Sequence, residues 1–247
     1  MIITYVHQYF STPEMSGGVR SYEVAKHLVT MGHKVNIITS YRGLSSSTDW
    51  YKTVENGINV HWLPVPYSNY LSFFGRIKAF INFAVKASFK AASFKADVIV
   101  ATSTPLSVGL PGVYAAFRQS APLVFEVRDL WPTVPISMGI LKNPFLIWAL
   151  KKFESFVYSQ SEIVIALSPG MKEGVVAKNF SKDKVTVIPN FSDIEIFSIN
   201  IPKKKKWDFN GPLLVYTGTF GKVNGLKYLV ELAKELKKYC DSSFNYF

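Results

Sequence analysis

Apolar positions follow two alternating rhythms along the chain. Short runs that are apolar almost throughout, such as Ile2–His7, Lys34–Thr39 and Ile58–Leu63, alternate with longer stretches in which apolar residues recur every three or four positions. The first rhythm suits a buried strand, the second a helix with one apolar face. In Val19–Met31 the apolar set is Val19, Tyr22, Val24, Ala25, Leu28 and Val29, and Gly32 stands where a helix ends on a left-handed residue. Strand, loop, helix and strand from Ile2 to Thr39 predict a right-handed βαβ unit.

The same alternation continues. Val98–Ala101, Leu123–Val127, Ile163–Leu167 and Val185–Ile188 read as strands. Tyr70–Lys95 reads as a long helical stretch with room for a break, and Leu106–Arg118, Pro144–Ser159 and Gly170–Lys178 as helices. About seven strands precede residue 190, and their apolar character predicts a parallel, Rossmann-like α/β sheet covered on both faces.

Residues 191–212 break the pattern. Lys203, Lys204, Lys205 and Lys206 lie between Pro202 and Pro212, which reads as a linker. Leu213–Thr217 then starts a strand, Gly218–Val223 a loop and Gly225–Lys238 a helix, with Phe244–Phe247 opening another strand. The expected organisation is a first domain over 1–190, a linker over 191–212 and the start of a second domain over 213–247. A piece of under about 40 residues does not close its own core, so the chain is expected to stop inside that second domain.

Composition agrees with a folded domain: of 247 residues, 48% are hydrophobic and 18% charged. A formal net charge of +11 favours an anionic partner: nucleic acid, a membrane surface or a phosphorylated ligand. The single Cys240 excludes an intrachain disulfide and a cysteine metal site. The first ten residues lack the basic start of a signal peptide, and no uncharged apolar window reaches about 18 residues. The expectation is a cytoplasmic protein, peripheral at most to a membrane. The four histidines, His7, His27, His33 and His61, have no metal spacing, and no P-loop, HExxH, Asp-x-Asp or nucleic-acid module is present.

Five motifs stand at strand ends, where open α/β sheets bind ligands. The loop Gln8–Gly18 follows the first strand and its terminal His7. Gly17 and Gly18 suit either a tight turn or a close backbone approach to a bound anion. Arg128 and Asp129 directly follow Leu123–Val127, either as a structural ion pair or facing a cleft. Ser168-Pro169-Gly170 reads as a helix start or a site element. Pro189-Asn190 ends the last strand of the set. Tyr216–Gly221 is a glycine-containing turn of the kind that can cradle a phosphate.

The segment Tyr70–Lys95 is unusual in charge. Phe73, Ile77, Phe80, Ile81, Ala84, Val85 and Phe89 lie near one helical face, Arg76, Lys78, Lys86, Lys90 and Lys95 are basic, and no acid stands between Glu55 and Asp97. The aromatic residues either pack on the sheet or, with the cations, address an anionic membrane surface.

Taken in order, Gly17-Gly18 with Arg20, Met31–Val35, RDLWP at 128–132, ALSPGM at 166–171, VIPNFSD at 187–193 and YTGTFGKVNGL at 216–226 resemble glycosyltransferase family 4, in particular bacterial enzymes of O-antigen and capsule assembly. The resemblance implies a GT-B fold, two Rossmann-like domains facing each other across a cleft. It implies transfer of a sugar, with retention, from a nucleotide-sugar (UDP above all) to a polyprenyl-diphosphate-linked or saccharide acceptor. No metal or other cofactor is implied. Gly17, Gly18, Arg20 and His7 would form an acceptor and donor-phosphate loop. Arg128 and Asp129 would be catalytic, at a strand end where the family often carries a His. Asn190, Gly218 and Gly221 would lie on the donor side, and Phe73, Arg76, Lys78, Lys86 and Lys90 at the membrane.

The positive charge and hydrogen-bond donors that a departing diphosphate needs would lie partly further along, so this chain alone is expected to have little activity. A non-catalytic module that docks an acceptor lipid or a protein partner is the alternative. A nucleotide-dependent dehydrogenase lacks its GxGxxG here.

Overall fold

The computed structural model describes residues 1–43, 47–67, 71–192, 215–218 and 224–239. The chain divides into two compact units, Met1–Ser192 and Asp193–Phe247.

The first unit is built on one sheet of eight strands. In chain order these are β1 (Ile2–Val6), β2 (Lys34–Tyr41), β3 (Tyr51–Glu55), β4 (Ile58–Pro64), β5 (Val98–Thr102), β6 (Leu123–Val127), β7 (Ile163–Ala166) and β8 (Val185–Val187). Their spatial order is β3-β4-β2-β1-β5-β6-β7-β8. The order reverses at β1, which pairs with β2 on one side and β5 on the other. That reversal opens a crevice beyond the carboxyl ends of the two strands.

Strand alternation sends side chains into two separate cores. On one face Ile3, Tyr5, Val35, Ile37, Ile58 and Val60 pack with Tyr22 and Ala25 of helix α1 (Arg20–Thr30). On the other, Val6, Ile38, Ile99, Ala101, Leu123, Phe125 and Val164 meet four helices. These are α2 (Phe73–Ala92), α3 (Gly109–Gln119), α5 (Pro144–Ser159) and α6 (Pro169–Val176), which contribute Phe83, Ala115, Val157 and Val175. Each large apolar side chain buried this way contributes roughly 1.5–3 kcal/mol. The short helix α4 (Thr133–Ser137) follows β6.

One expectation needs correction. The sheet is mixed, because β3 runs antiparallel to β4 at the edge. Its residues alternate half-buried and exposed, so it lacks the continuous apolar run that marks the inner strands. Asn56 and Gly57 make the hairpin turn, with φ of 46° and 80°. A two-residue turn with both φ positive selects Asn-Gly.

Local signals set several helix ends. Ser72 caps α2 by accepting from the Gly75 amide, and the helix runs unbroken to Ala92. Ser168 caps α6 by accepting from the Met171 amide, with Pro169 next to it. Asn143 caps α5 through Leu146, with Pro144 in its first turn.

A buried ion pair ties the sheet to the first helix. Arg20, the first residue of α1, donates from Nε to Glu126 Oε1 of β6 at 2.9 Å, and its Nη2 lies 2.9 Å from the same oxygen. The other Glu126 oxygen accepts the Thr102 hydroxyl at the end of β5. Arg20 also donates to the carbonyls of Pro189, at 2.7 Å, and Ile188, at 2.9 Å, just beyond β8. Its guanidinium lies 5.3 Å from the Phe191 ring centroid. One side chain therefore joins α1, β5, β6 and the segment leaving β8.

In the second unit the described residues are Val215–Gly218 and the segment that contains α7 (Leu226–Tyr239). The expected linker residues Lys203–Lys206, the start of the expected strand at Leu213, and Phe244–Phe247 lie outside the described residues.

Removing one member of the Arg20–Glu126 pair leaves the other charged and buried. Glu126→Ala is expected to cost about 3–5 kcal/mol and to lower the thermal midpoint by roughly 10 °C. Replacing both, as Arg20→Met with Glu126→Leu, should restore much of that loss. Thermal unfolding of the three proteins checks it; equal midpoints for parent and Glu126→Ala would remove the pair from its structural role.

Candidate functional site

Of the residues singled out in sequence, His7, Gly17, Gly18, Arg128 and Asp129 gather beyond the carboxyl ends of β1, β5 and β6. His7 directly follows β1 and is 2% exposed. Its Nε2 lies 3.4 Å from Nη1 of Arg128, the residue after β6. A guanidinium only donates, so Nε2 accepts and the imidazole proton sits on Nδ1. That Nδ1 is buried and has no hydrogen-bond partner among the described residues. The side-chain amide of the neighbouring Gln8, 1% exposed, is likewise unpartnered at both Oε1 and Nε2. The Gln8 carbonyl, by contrast, accepts from the Ser40 amide and from the hydroxyls of Thr39 and Ser40, which fixes the strand end.

Above these groups runs the glycine loop. Gly17 has φ +145°, and a Cβ there would fall 2.5 Å from Ser11 Oγ. Both facts restrict the position to glycine. A Cβ at Gly18 would meet Arg128 Nη2 at 3.4 Å, so the arginine lies directly against bare backbone. Neither glycine amide donates to another described residue.

Arg128 is held at its backbone, where its amide donates to Ser103 Oγ at 2.9 Å just past β5. Asp129 is exposed and accepts from the Thr104 hydroxyl at 2.6 Å. Among the described residues it makes no ion pair with Arg128. Ser103 and Thr104, adjacent in sequence, thus position the two adjacent residues 128 and 129. Sequence reasoning missed both, since neither carries a motif. It missed Arg42 as well, which follows β2 and donates from Nη2 to the Ser16 carbonyl at 3.3 Å.

Arg20 does not reach this mouth. It lies 8% exposed, with its N–H groups directed to Glu126, Ile188 and Pro189. Asn190 follows those carbonyls and is exposed. Gly218 belongs to the second unit, and Gly221 lies outside the described residues. A hollow of about 410 Å³ lined by Lys95, Asp97, Gln119 and Ser120 is at the amino end of the strands, and shares no residue with the cluster. Among the described residues no group of three His, Cys, Asp or Glu is placed to hold a metal ion.

The expected membrane residues lie on α2. Phe74, Ile81, Val85 and Phe89 are exposed, at 80%, 56%, 44% and 65%, and so are Lys78 and Lys86. Lys90 instead sits 5.7 Å from the Trp50 ring centroid and 5.4 Å from that of Phe94. Arg76 donates to the Leu71 carbonyl at 3.1 Å. The Phe73 side chain lies outside what is described. Ile81 and Val85 line a small apolar hollow with Leu110 of α3 and Phe153 of α5. No described helix is long and apolar enough to cross a membrane.

Burial, together with the nearby Arg128 and Arg42 charges, lowers the His7 pKa from 6.5 to about 3. The unfolded chain binds this proton at higher pH than the folded one does. Stability is therefore complete above about pH 6.5 and falls as the pH drops towards 3. At pH 5 the His7 contribution to the loss is about 2 kcal/mol. Urea unfolding at pH 7 and pH 5 should show that much less pH dependence in His7→Gln than in the parent. His61, lowered to about 4 by burial, is common to both proteins and cancels.

The comparisons with known proteins follow this geometry. A family model described as a glycosyl transferase 4-like domain matches residues 17–190, which run from the glycine loop to the end of the expected first domain. A protein of Escherichia coli K12 assigned to colanic acid biosynthesis as a glycosyl transferase, WcaI, is 24% identical over 92% of this chain. The chain spans about three fifths, 61%, of that relative's length.

Among solved structures, a sucrose-phosphate synthase of Thermosynechococcus elongatus is 13% identical, with a TM-score of 0.54 over 79% of this chain and 49% of its own. A shorter chain of the same synthase gives a TM-score of 0.55 at 11% identity over 80% of this chain and 93% of its own. Alr3699/HepE of Anabaena, in complex with UDP and glucose, is 16% identical, with a TM-score of 0.50 over 80% of this chain and 46% of its own. These likenesses show the fold, a GT-B-type Rossmann-like α/β sheet. With Gly17-Gly18 and the RDLWP strand end both inside a matched span that covers most of the first unit, the chain belongs to the glycosyl transferase 4-like domain family.

Proposed function

We propose that this chain is the acceptor-side part of a retaining glycosyltransferase of surface polysaccharide assembly. The donor is a nucleotide-sugar, a UDP-sugar by analogy with the UDP and glucose held by the Anabaena neighbour. The acceptor is a polyprenyl-diphosphate-linked or other saccharide. The polysaccharide context rests on the colanic acid relative. The observation that carries the reading is the convergence of Gly17, Gly18, Arg128 and the buried His7 at the strand reversal.

The chemistry fits that convergence. Sugar transfer with a nucleotide leaving group builds positive charge on the sugar ring and negative charge on the departing diphosphate. Fixed N–H donors aimed at the leaving oxygens lower the barrier, because they need no reorganisation as charge develops. Arg128, set by Ser103, and the free amides of Gly17 and Gly18 are such donors. Neutral His7 orients Arg128 through Nε2. Asp129, held by Thr104, orients the acceptor hydroxyl. Gly218 and Gly221 keep the donor-side role that the family resemblance gives them, and the chain spans only 61% of the length of its colanic acid relative. The 247-residue chain by itself is therefore proposed to be inactive.

The α2 surface gives the acceptor its setting. Exposed aromatic and aliphatic residues beside Lys78 and Lys86, with no acid from 56 to 96, suit the anionic cytoplasmic face of a membrane that presents a lipid-linked acceptor.

Two measurements test the proposal. In an enzyme that carries the full second domain, Arg128→Gln should lower kcat about 100-fold or more, while the 247-residue chain alone should give no sustained sugar transfer. Robust turnover by the short chain, or an unchanged kcat in Arg128→Gln, would refute the respective part. Cosedimentation with anionic vesicles should weaken at least about tenfold in Lys78→Glu/Lys86→Glu, since each basic residue near such a surface is worth about 1 kcal/mol. Equal binding by both proteins would dismiss the membrane face.

A further inference from the structure

Three helices cover the same face of the sheet, and their outward side chains are almost all of two kinds. Helices α2, α3 and α5 pack over one apolar core, and α3 touches both of the others. α2 exposes Phe74, Lys78, Ile81, Val85, Lys86 and Phe89, together with Asn82. α3 exposes Leu110, Phe117 and Arg118. α5 exposes Pro144, Phe145, Trp148, Lys151, Lys152 and Phe156, together with Ser159. Apart from Asn82 and Ser159, every exposed side chain described on these helices is therefore apolar or basic. The single acid in the three, Glu154, is buried, accepts from the Tyr158 hydroxyl and lies 3.3 Å from Lys178.

A water-facing helix ordinarily carries polar residues of both signs on the side away from the core. Helix α1, on the opposite face of the sheet, gives the internal comparison, because only His27 and Thr30 of it are exposed. The three outward stripes also join. Ile81 and Val85 of α2, Leu110 of α3 and Phe153 of α5 line one apolar hollow of about 110 Å³. Phe145 and Trp148, one turn apart on α5, are 74% and 56% exposed. Their rings stack on each other, with centroids 5.8 Å and planes 28° apart, and neither belongs to a core cluster. Helical spacing puts both on the side away from Glu154, Val157 and Tyr158, the buried residues of α5.

We propose that α2, α3 and α5 together form one docking face for an anionic lipid bilayer, with the Phe145–Trp148 stack of α5 entering the headgroup boundary as an anchor separate from the α2 cations. This rests on the membrane reading of α2 above and extends it to two further helices. The partner's chemistry follows from the residues. Basic side chains around large apolar ones match a surface that is negative outside and apolar within. A second copy of this chain does not fit, because a two-fold contact would set this cationic face against itself. A protein partner fits less well, since four of the five exposed cations are lysines, which protein interfaces deplete. Lysine stems instead lie along apolar surface while the ammonium stays at the phosphates. α3 separates α2 from α5, so the two attachments lie roughly 20 Å apart at the usual helix spacing. Two such contacts fix the tilt of the first unit, which a single helix would leave free to roll.

Binding of the 247-residue chain to vesicles of equal parts phosphatidylglycerol and phosphatidylcholine tests the anchor. Cosedimentation of Phe145→Ser/Trp148→Ser is expected to weaken about tenfold or more, because two large apolar side chains no longer leave water. Both positions are exposed, so the variant should fold, and an unchanged thermal midpoint verifies that it does. Trp148→Phe should bind within a few fold of the parent. With bromine-labelled phosphatidylcholine in the vesicles, the parent's tryptophan fluorescence should be quenched, and Trp148→Phe should lose most of that quenching.

Vesicle binding by Phe145→Ser/Trp148→Ser equal to that of the parent overturns the α5 anchor, and so does quenching that persists undiminished in Trp148→Phe. The α2 reading is judged separately by Lys78→Glu/Lys86→Glu, so either one can fail while the other stands; no binding by the parent overturns both. Sedimentation velocity without vesicles covers the remaining occupant. Self-association present in the parent and lost in Phe145→Ser/Trp148→Ser would give the stack to a second copy and overturn the lipid assignment.

Discussion

The Arg20–Glu126 pair is the constraint around which the first unit is assembled. Neither charge is tolerable alone in the interior, since each loses several kcal/mol of hydration on burial. Together, with Thr102 and the carbonyls of Ile188 and Pro189, they satisfy one another and hold four separate stretches of chain at fixed distances. The glycine loop enters α1 immediately before Arg20, and the catalytic candidates Arg128 and Asp129 follow Glu126 by two and three positions. A polar bolt under the sheet end therefore sets the loop and the β6 terminus relative to each other. The apolar cores on either face make the sheet stable but do not by themselves specify that relation.

A second layer of positioning comes from small residues. Ser103 and Thr104 at the end of β5 fix Arg128 and Asp129 one hydrogen bond apiece. Gly17 lets the loop take a conformation closed to other residues, and Gly18 lets a guanidinium rest on the backbone. Charge placement at the mouth thus depends on residues that carry no charge.

Much of this was legible in the sequence, for reasons that differ by element. The inner parallel strands announce themselves because burial on both faces requires apolar runs such as Val98–Ala101 and Ile163–Leu167. The strand-end placement of Arg128 and Asp129 was legible because they follow Leu123–Val127 directly, and the placement of Gly17-Gly18 before α1 because helical spacing begins at Val19. β3 was not, since an edge strand exposed on alternate residues needs no apolar run; its Asn56-Gly57 turn was the available signal. The pairing of Arg20 with Glu126 spans 106 residues, and nothing local to either one announces the other. The contact of Arg42 with the Ser16 carbonyl was invisible for the same reason: it comes from β2 lying beside β1, which only the folded sheet establishes.

The state of His7 has a consequence for how the mouth responds to its surroundings. An imidazole held neutral down to about pH 3 beside the Arg128 guanidinium, a group that does not deprotonate in water, gives a mouth whose own charge is constant across the physiological range. The protein side is electrically silent there. A nucleotide-sugar, whose diphosphate is esterified at both ends, has no phosphate ionisation near neutrality either, whereas the free nucleoside diphosphate gains a second terminal charge at about pH 6; the mouth would thus tell product from substrate by charge as the pH rises.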